Sequence, residues 1–217
     1  MFNFIENFSE YTLEERNVCY LTILKSDETL TLSTKGSFWI MSNGGNAVLD
    51  NKLSTGKDTW VSMGHQSIEV QGPALVIDNP GFQCPERKFC SFDPNSVGQL
   101  SYIDGCSNSN LIDPPRNGDP CLNYLYFPPG IDQSWHTHPS VRIGYVLTGK
   151  GYACIQSNGV SKEHLLEPGK LFVLDRFTKH RIRTESDQHM TLMIYHPDSE
   201  DGPRDENNPM KSRTYLR

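Results

Sequence analysis

The apolar runs of this chain are short, and that limits what it can build. "TLTLS", "SFWIM", "SIEVQ", "ALVI", "LNYLYF", "IGYVL", "GYACI", "LFVL" and "MTLMIY" are separated by clusters of Gly, Pro, Asn, Asp and Ser. Runs of this length, alternating or continuously apolar and bounded by turn residues, are strands. Sustained helical periodicity is missing. One short helix is expected near the start, where Thr12 and Glu15 have the spacing of a capping box. The pattern is all-β and predicts a sandwich or barrel.

The chain also resembles itself. "FWIMSNGGNAVL" followed by "LSTGKDTWVSM" echoes "GYVLTGKGYACI" followed by "LEPGKLFVLDR". In each copy a strand enters a Gly-containing turn, a second strand follows, and a Gly-Lys turn leads to a third. The second copy is longer, which is read as an extended hairpin loop around "QSNGVSKE". Such self-similarity predicts two copies of one β-domain. The expected boundaries are 1–80 for the first, 81–120 for a connecting segment, 121–197 for the second, and 198–217 for a polar tail lying on the surface or on a partner.

Charge excludes some functions. With 217 residues, 20 Lys and Arg against 26 Asp and Glu give a net charge of −6, without a general footprint for nucleic acid. No apolar run reaches the roughly 20 residues of a membrane span. The opening "MFNFIENFSEYTLEERN" lacks the basic start and apolar core of a signal peptide, so a cytoplasmic location is expected. Four of the six cysteines, Cys84, Cys90, Cys106 and Cys121, fall in one segment. Their spacing matches no paired zinc knuckle, and reduced thiols are the favoured reading.

The chemistry concentrates in "GIDQSWHTHPSVRIGYVLTG", residues 130–149. Positions i and i+2 of a strand face the same way, so His136 and His138 project together. Imidazole is the commonest side-chain metal ligand near neutral pH. A second segment, "PGKLFVLDRFTKHRIRT", contributes His180.

These residues resemble the cupin superfamily. Its first motif, G-x5-H-x-H-x3-E-x6-G, is met by Gly130, His136, His138 and Gly149, with Arg142 in place of the glutamate. Its second, G-x5-P-x-G-x2-H-x3-N, is met by Gly169 and His180, while Asp175, Phe177 and Thr184 replace the proline, glycine and asparagine. The resemblance implies a double-stranded β-helix, or jelly roll, with two barrels expected in one chain, a bicupin with a degenerate N-terminal half. It implies one divalent metal held by His136, His138 and His180, Fe(II) being favoured and Zn, Mn or Ni open. The N-terminal half has only His65 and is not expected to hold a second metal. His164, His189 and His196 are read as surface or packing histidines.

The missing carboxylate leaves a cation beside the metal. A guanidinium about 6 Å from a divalent ion is repelled by roughly 5 kcal/mol at an effective dielectric near 20. Two readings stand. Arg142 turns towards an acid such as Asp175 or Glu185, or it grips an anionic substrate next to the metal. Strand parity places Gly144 on the side of Arg142 and is read as leaving open volume. It places Ile143, Tyr145 and Leu147 on an opposite face that needs cover from the other domain or another subunit, so a homodimer is a candidate. Arg181 and Arg183 point away from His180 as a solvated stripe. Arg142, Gln133 and Tyr145 are the candidate substrate contacts.

The resemblance to three-histidine cupin dioxygenases implies a mononuclear non-haem iron dioxygenase acting on a small anionic substrate. A lyase or isomerase using Zn, Mn or Ni, and a non-catalytic binding or regulatory cupin, are the alternatives. Neither a nucleic-acid nor a membrane partner is expected.

Overall fold

β-branched and aromatic residues between turn formers give the expected result. The computed structural model describes residues 2–5, 9–12, 18–44, 46–49, 52–55, 59–84, 88–114 and 119–197. Its strands are β1 (Phe2–Ile5), β2 (Ser9–Thr12), β3 (Val18–Leu24), β4 (Thr29–Asn43), β5 (Asn46–Leu49), β6 (Lys52–Thr55), β7 (Thr59–Gln71), β8 (Ala74–Asn79), β9 (Lys88–Phe92), β10 (Leu100–Ser101), β11 (Ser107–Ile112), β12 (Cys121–Phe127), β13 (Arg142–Gly149), β14 (Gly151–Ser157), β15 (Val160–Leu166), β16 (Leu171–Leu174), β17 (Lys179–Thr184) and β18 (Met190–His196). The one helical element among the described residues is a 3-10 turn at Ile103–Gly105. Thr12, expected to open a helix, instead ends β2, and Glu15 lies outside the described residues. Among the described residues no helix is long and apolar enough to cross a membrane.

The chain divides into two units at Pro94–Asn95, with the N-terminal Phe2–Phe4 belonging to the second. The first unit, Ile5–Pro94, is an antiparallel sheet in the order β2-β3-β8-β4-β7-β5-β6, with β9 also paired to β7. Leu24, Phe38, Ile40, Ile68, Val70, Ala74 and Val76 form its core. The first copy of the internal echo spans β4 to β7. The Gly56–Lys57 turn of that echo lies outside the described residues.

The second unit packs two sheets face to face. One has the order β1-β16-β13-β18-β12-β11-β10, the other β15-β14-β17. Leu125, Phe127, Val146, Phe172, Leu192 and Ile194 from the first sheet meet Ala153, Leu166 and Ile182 from the second. Residues on both faces of β13 are buried, Ile143, Tyr145 and Leu147 on one and Val146 on the other.

Within the segment 81–120, expected to be a connector, β9 pairs with the first unit while β10 and β11 extend the second unit's large sheet. The loop expected around "QSNGVSKE" is a tight hairpin in which Asn158 (φ 50°) and Gly159 (φ 78°) turn β14 into β15, a two-residue turn that needs positive φ at both positions. His164 therefore lies in a strand, packed against the rings of Phe2 and Phe4. The 198–217 tail lies outside the described residues.

Candidate metal centre

Two distant stretches of sequence are zipped together to make the site. The loop after β12 runs antiparallel to β17 and bonds to it repeatedly. Thr184 N–H donates to the Ile131 carbonyl (2.9 Å), and the Thr184 hydroxyl donates to the Pro128 carbonyl (2.6 Å). Gln133 N–H donates to the Ile182 carbonyl (3.0 Å), and Ile182 N–H returns a bond to Gln133 Oε1 (3.1 Å). His136 and His180 then pair as an isolated antiparallel bridge. Beyond it, Phe177 N–H donates to the His138 carbonyl at 2.7 Å. Thr184, in place of the motif asparagine, is thus a clasp at the base of the loop.

This ladder brings the three sequence-predicted ligands together. One ligand atom from each of His136, His138 and His180 lies within 4.8 Å of the others. Their ring centroids are 4.4–5.0 Å apart. His136 Nδ1 contacts the Ser134 carbonyl and His180 Nδ1 the Thr178 carbonyl, both at 2.8 Å. A carbonyl only accepts, so both rings carry their proton on Nδ1 and present a bare Nε2 lone pair. Burial, with His136 close by, pushes His180 down to about 3. Burial and the Arg142 guanidinium hold His138 well below the usual histidine range, and burial lowers His136. Neutral imidazoles with fixed tautomers are the state a divalent metal requires. The donor set fits such an ion.

The histidines open onto a cavity of about 50 Å³ inside the second unit, room for a few waters. Leu125, Phe127, Phe172, Leu174, Ile182, Leu192 and Ile194 form its apolar wall, and Tyr102, Gln133, Arg142 and His196 add polar groups. Arg142 is 6% exposed and faces this cavity. Its Nη1 donates to the Ser140 carbonyl (3.1 Å), the Ser140 hydroxyl and the Val141 carbonyl (3.1 Å). Glu185, considered as its partner, instead bonds Arg183 at 3.0 Å.

The other candidates separate. Gln133 is buried, lines the cavity and donates to Cys106 Sγ at 3.4 Å, so it is no surface amide. Tyr145 is buried on the face of β13 opposite Arg142 and is not among the residues that line this cavity. Gly144 leaves no open volume, because a Cβ there would lie 2.2 Å from Phe172 Cζ, whose ring occupies the space. Arg181 bonds Asp132 (2.7 Å) over the Trp135 ring, and Arg183 bonds Glu163 (2.8 Å) over Tyr152. Both lie outside the cavity lining. All six cysteines are free thiols.

Sequence reasoning missed three residues. Tyr102 lines the cavity from the chain before β11, its phenol pushed up to about 12 by burial. No local pattern marks it. Asp104 accepts from Ser134 N–H (2.6 Å) and Oγ–H (2.7 Å), bracing the residue whose carbonyl orients His136. His196 also lines the cavity, and the alternation of Leu192, Ile194 and His196 along β18 was a readable signal for it.

Residues 123–196 match the family described as Cupin domain. The fold is that of a cupin. Among solved structures, this chain is similar to the cupin 2 conserved barrel domain protein from Leptotrichia buccalis, at 16% identity and TM-score 0.60 over 88% of each chain. It is also similar to salicylate 1,2-dioxygenase from Pseudoaminobacter salicylatoxidans in complex with gentisate, at 11% identity and TM-score 0.58 over 84% of this chain and 69% of that one. No curated protein matches the chain by sequence.

Proposed function

We propose that this cupin is a metal-dependent enzyme, a mononuclear non-haem iron dioxygenase acting on a small anionic substrate. The observation that carries the reading is one cavity lined by three converging neutral histidines and by a buried guanidinium. His136, His138 and His180 would hold the ion. When bound, it supplies Lewis acidity and, as Fe(II), redox chemistry with dioxygen. Arg142, anchored through Nη1, supplies a fixed cation that favours a substrate carboxylate and offsets its desolvation. The apolar wall orients the substrate body and keeps bulk water from it. The likeness to a salicylate 1,2-dioxygenase supports the fold, and the anionic ligand rests on Arg142. In the same proposal the N-terminal unit is a degenerate second cupin barrel, supported by the internal echo and by a likeness extending over 88% of the chain.

The test is metal content of untagged protein, then oxygen uptake with small carboxylates. One metal per chain is expected, lost in the His136→Ala, His138→Ala double variant with the far-ultraviolet circular dichroism retained. Full occupancy in that variant overturns the ligand assignment. Zinc, manganese or nickel without oxygen uptake indicates a lyase or isomerase. Carboxylate binding without metal indicates a non-catalytic module.

A further inference from the structure

β13 and β18 pair antiparallel with Ile143 opposite Tyr195 and Gly144 opposite Ile194. Extending that register by one step sets Arg142 opposite His196; both line the cavity, and the Arg142 guanidinium acts on the His196 ring. His196 is 5% exposed. Its imidazole has no hydrogen-bond partner among the described residues, whereas His136 and His180 each have a carbonyl on Nδ1. A buried polar ring without a partner, turned into a cavity, is a group waiting for one. The metal set does not claim it, because the cluster of ligand atoms within 4.8 Å comprises His136, His138 and His180 alone among the described residues.

We propose that His196 is a second recognition residue for the ligand's carboxylate, donating a ring N–H to one oxygen while Arg142 holds the other. This rests on the reading that Arg142 grips an anionic substrate. Burial and the adjacent guanidinium keep the imidazole neutral, so it contributes direction while Arg142 contributes charge. Leu192 and Ile194 precede His196 on the same face of β18 and line the same cavity. The ligand class is therefore a small monocarboxylate with an apolar body lying along β18 and its other end at the three histidines.

The experiment titrates metal-loaded protein, without oxygen, with acetate, lactate and salicylate and with the amide of each. The variants are His196→Leu, His196→Gln and Arg142→Gln, and metal affinity is measured for all. His196→Leu is expected to weaken carboxylate binding about tenfold, the loss of one hydrogen bond to a charged group. The amides should lose much less, and metal affinity should stay within twofold. His196→Gln, which keeps an N–H donor, should recover most of the loss, as a purely packing role would not. If Arg142→Gln weakens the carboxylates while His196→Leu leaves them unchanged, this inference falls and the anionic reading stands. If Arg142→Gln also has no effect, or no carboxylate binds the wild type, both fall. Loss of metal in His196→Leu would make His196 part of the metal set and overturn the recognition role.

Discussion

His136 and His180 exchange both of their backbone hydrogen bonds, His136 N–H to the His180 carbonyl at 3.0 Å and His180 N–H to the His136 carbonyl at 2.9 Å. Directly opposed residues of such a pair project to the same side. Two of the three ligands therefore converge because the loop is bonded to β17, and the site depends on groups that touch no metal.

Asp104 is one of these. Replacing it by Ala removes the oxygen that accepts both Ser134 hydrogen bonds while leaving the histidines intact. Metal affinity of Asp104→Ala is expected to fall by about tenfold or more, the size of an outer-shell effect, with little change in the chain's unfolding midpoint measured without metal. Unchanged affinity in a competition titration would show that the Ser134 carbonyl holds His136 without that brace.

Acid should weaken the metal-free protein in a window that His180 defines. Its folded value is about 3 against an ordinary 6.5. Above pH 6.5 the ring is neutral folded and unfolded, and it contributes no pH dependence. Between about 6.5 and 3 the unfolded chain takes up a proton that the folded one refuses, so stability falls as pH falls. The slope is about 1.4 kcal/mol per pH unit for this one ring, and His138 and His196 act in the same direction. Urea midpoints with chelator from pH 7.5 to 5 should fall with acidification, and His180→Gln should flatten the slope. Equal slopes would contradict a buried neutral His180.

Gly144→Ala should destabilise the second unit by about 1–3 kcal/mol, an overpacking cost, because the new methyl meets the Phe172 ring. Phe172→Leu in the same chain should restore part of that loss, and a denaturation double-mutant cycle measures the coupling. Additive effects would mean that the ring moves aside freely.

Phe177 holds a left-handed backbone (φ 57°) with its ring 63% exposed, at the position where the cupin motif has glycine. Phe177→Gly should stabilise by about 0.5–1 kcal/mol, since an L side chain strains this conformation and glycine does not. Thermal unfolding would show it. A loss of stability would mean that the Phe177 ring, stacked under Arg176 at 5.5 Å, makes contacts worth more than the strain.

The sequence by itself determined the all-β architecture and the three histidines. Strand alternation has a period of two, and the spacings Gly130–His136–His138 and Gly169–His180 are written within short stretches of chain. It also showed that Phe177 stands where the motif has glycine, while the left-handed backbone there came from the structure. Only tertiary structure decided which side chains share the cavity with those histidines. Tyr145 and Arg142 are three residues apart on β13 yet face opposite ways, whereas Arg142 and His196 lie on separate strands and line one cavity. Gly144 appeared to leave a space because its own position has no side chain, and Phe172, from the neighbouring strand β16, fills it. A residue's periodicity is a local property of the chain. What fills a cavity depends on strand register and on contacts between strands far apart in sequence, and these exist only once the sheets have closed on each other.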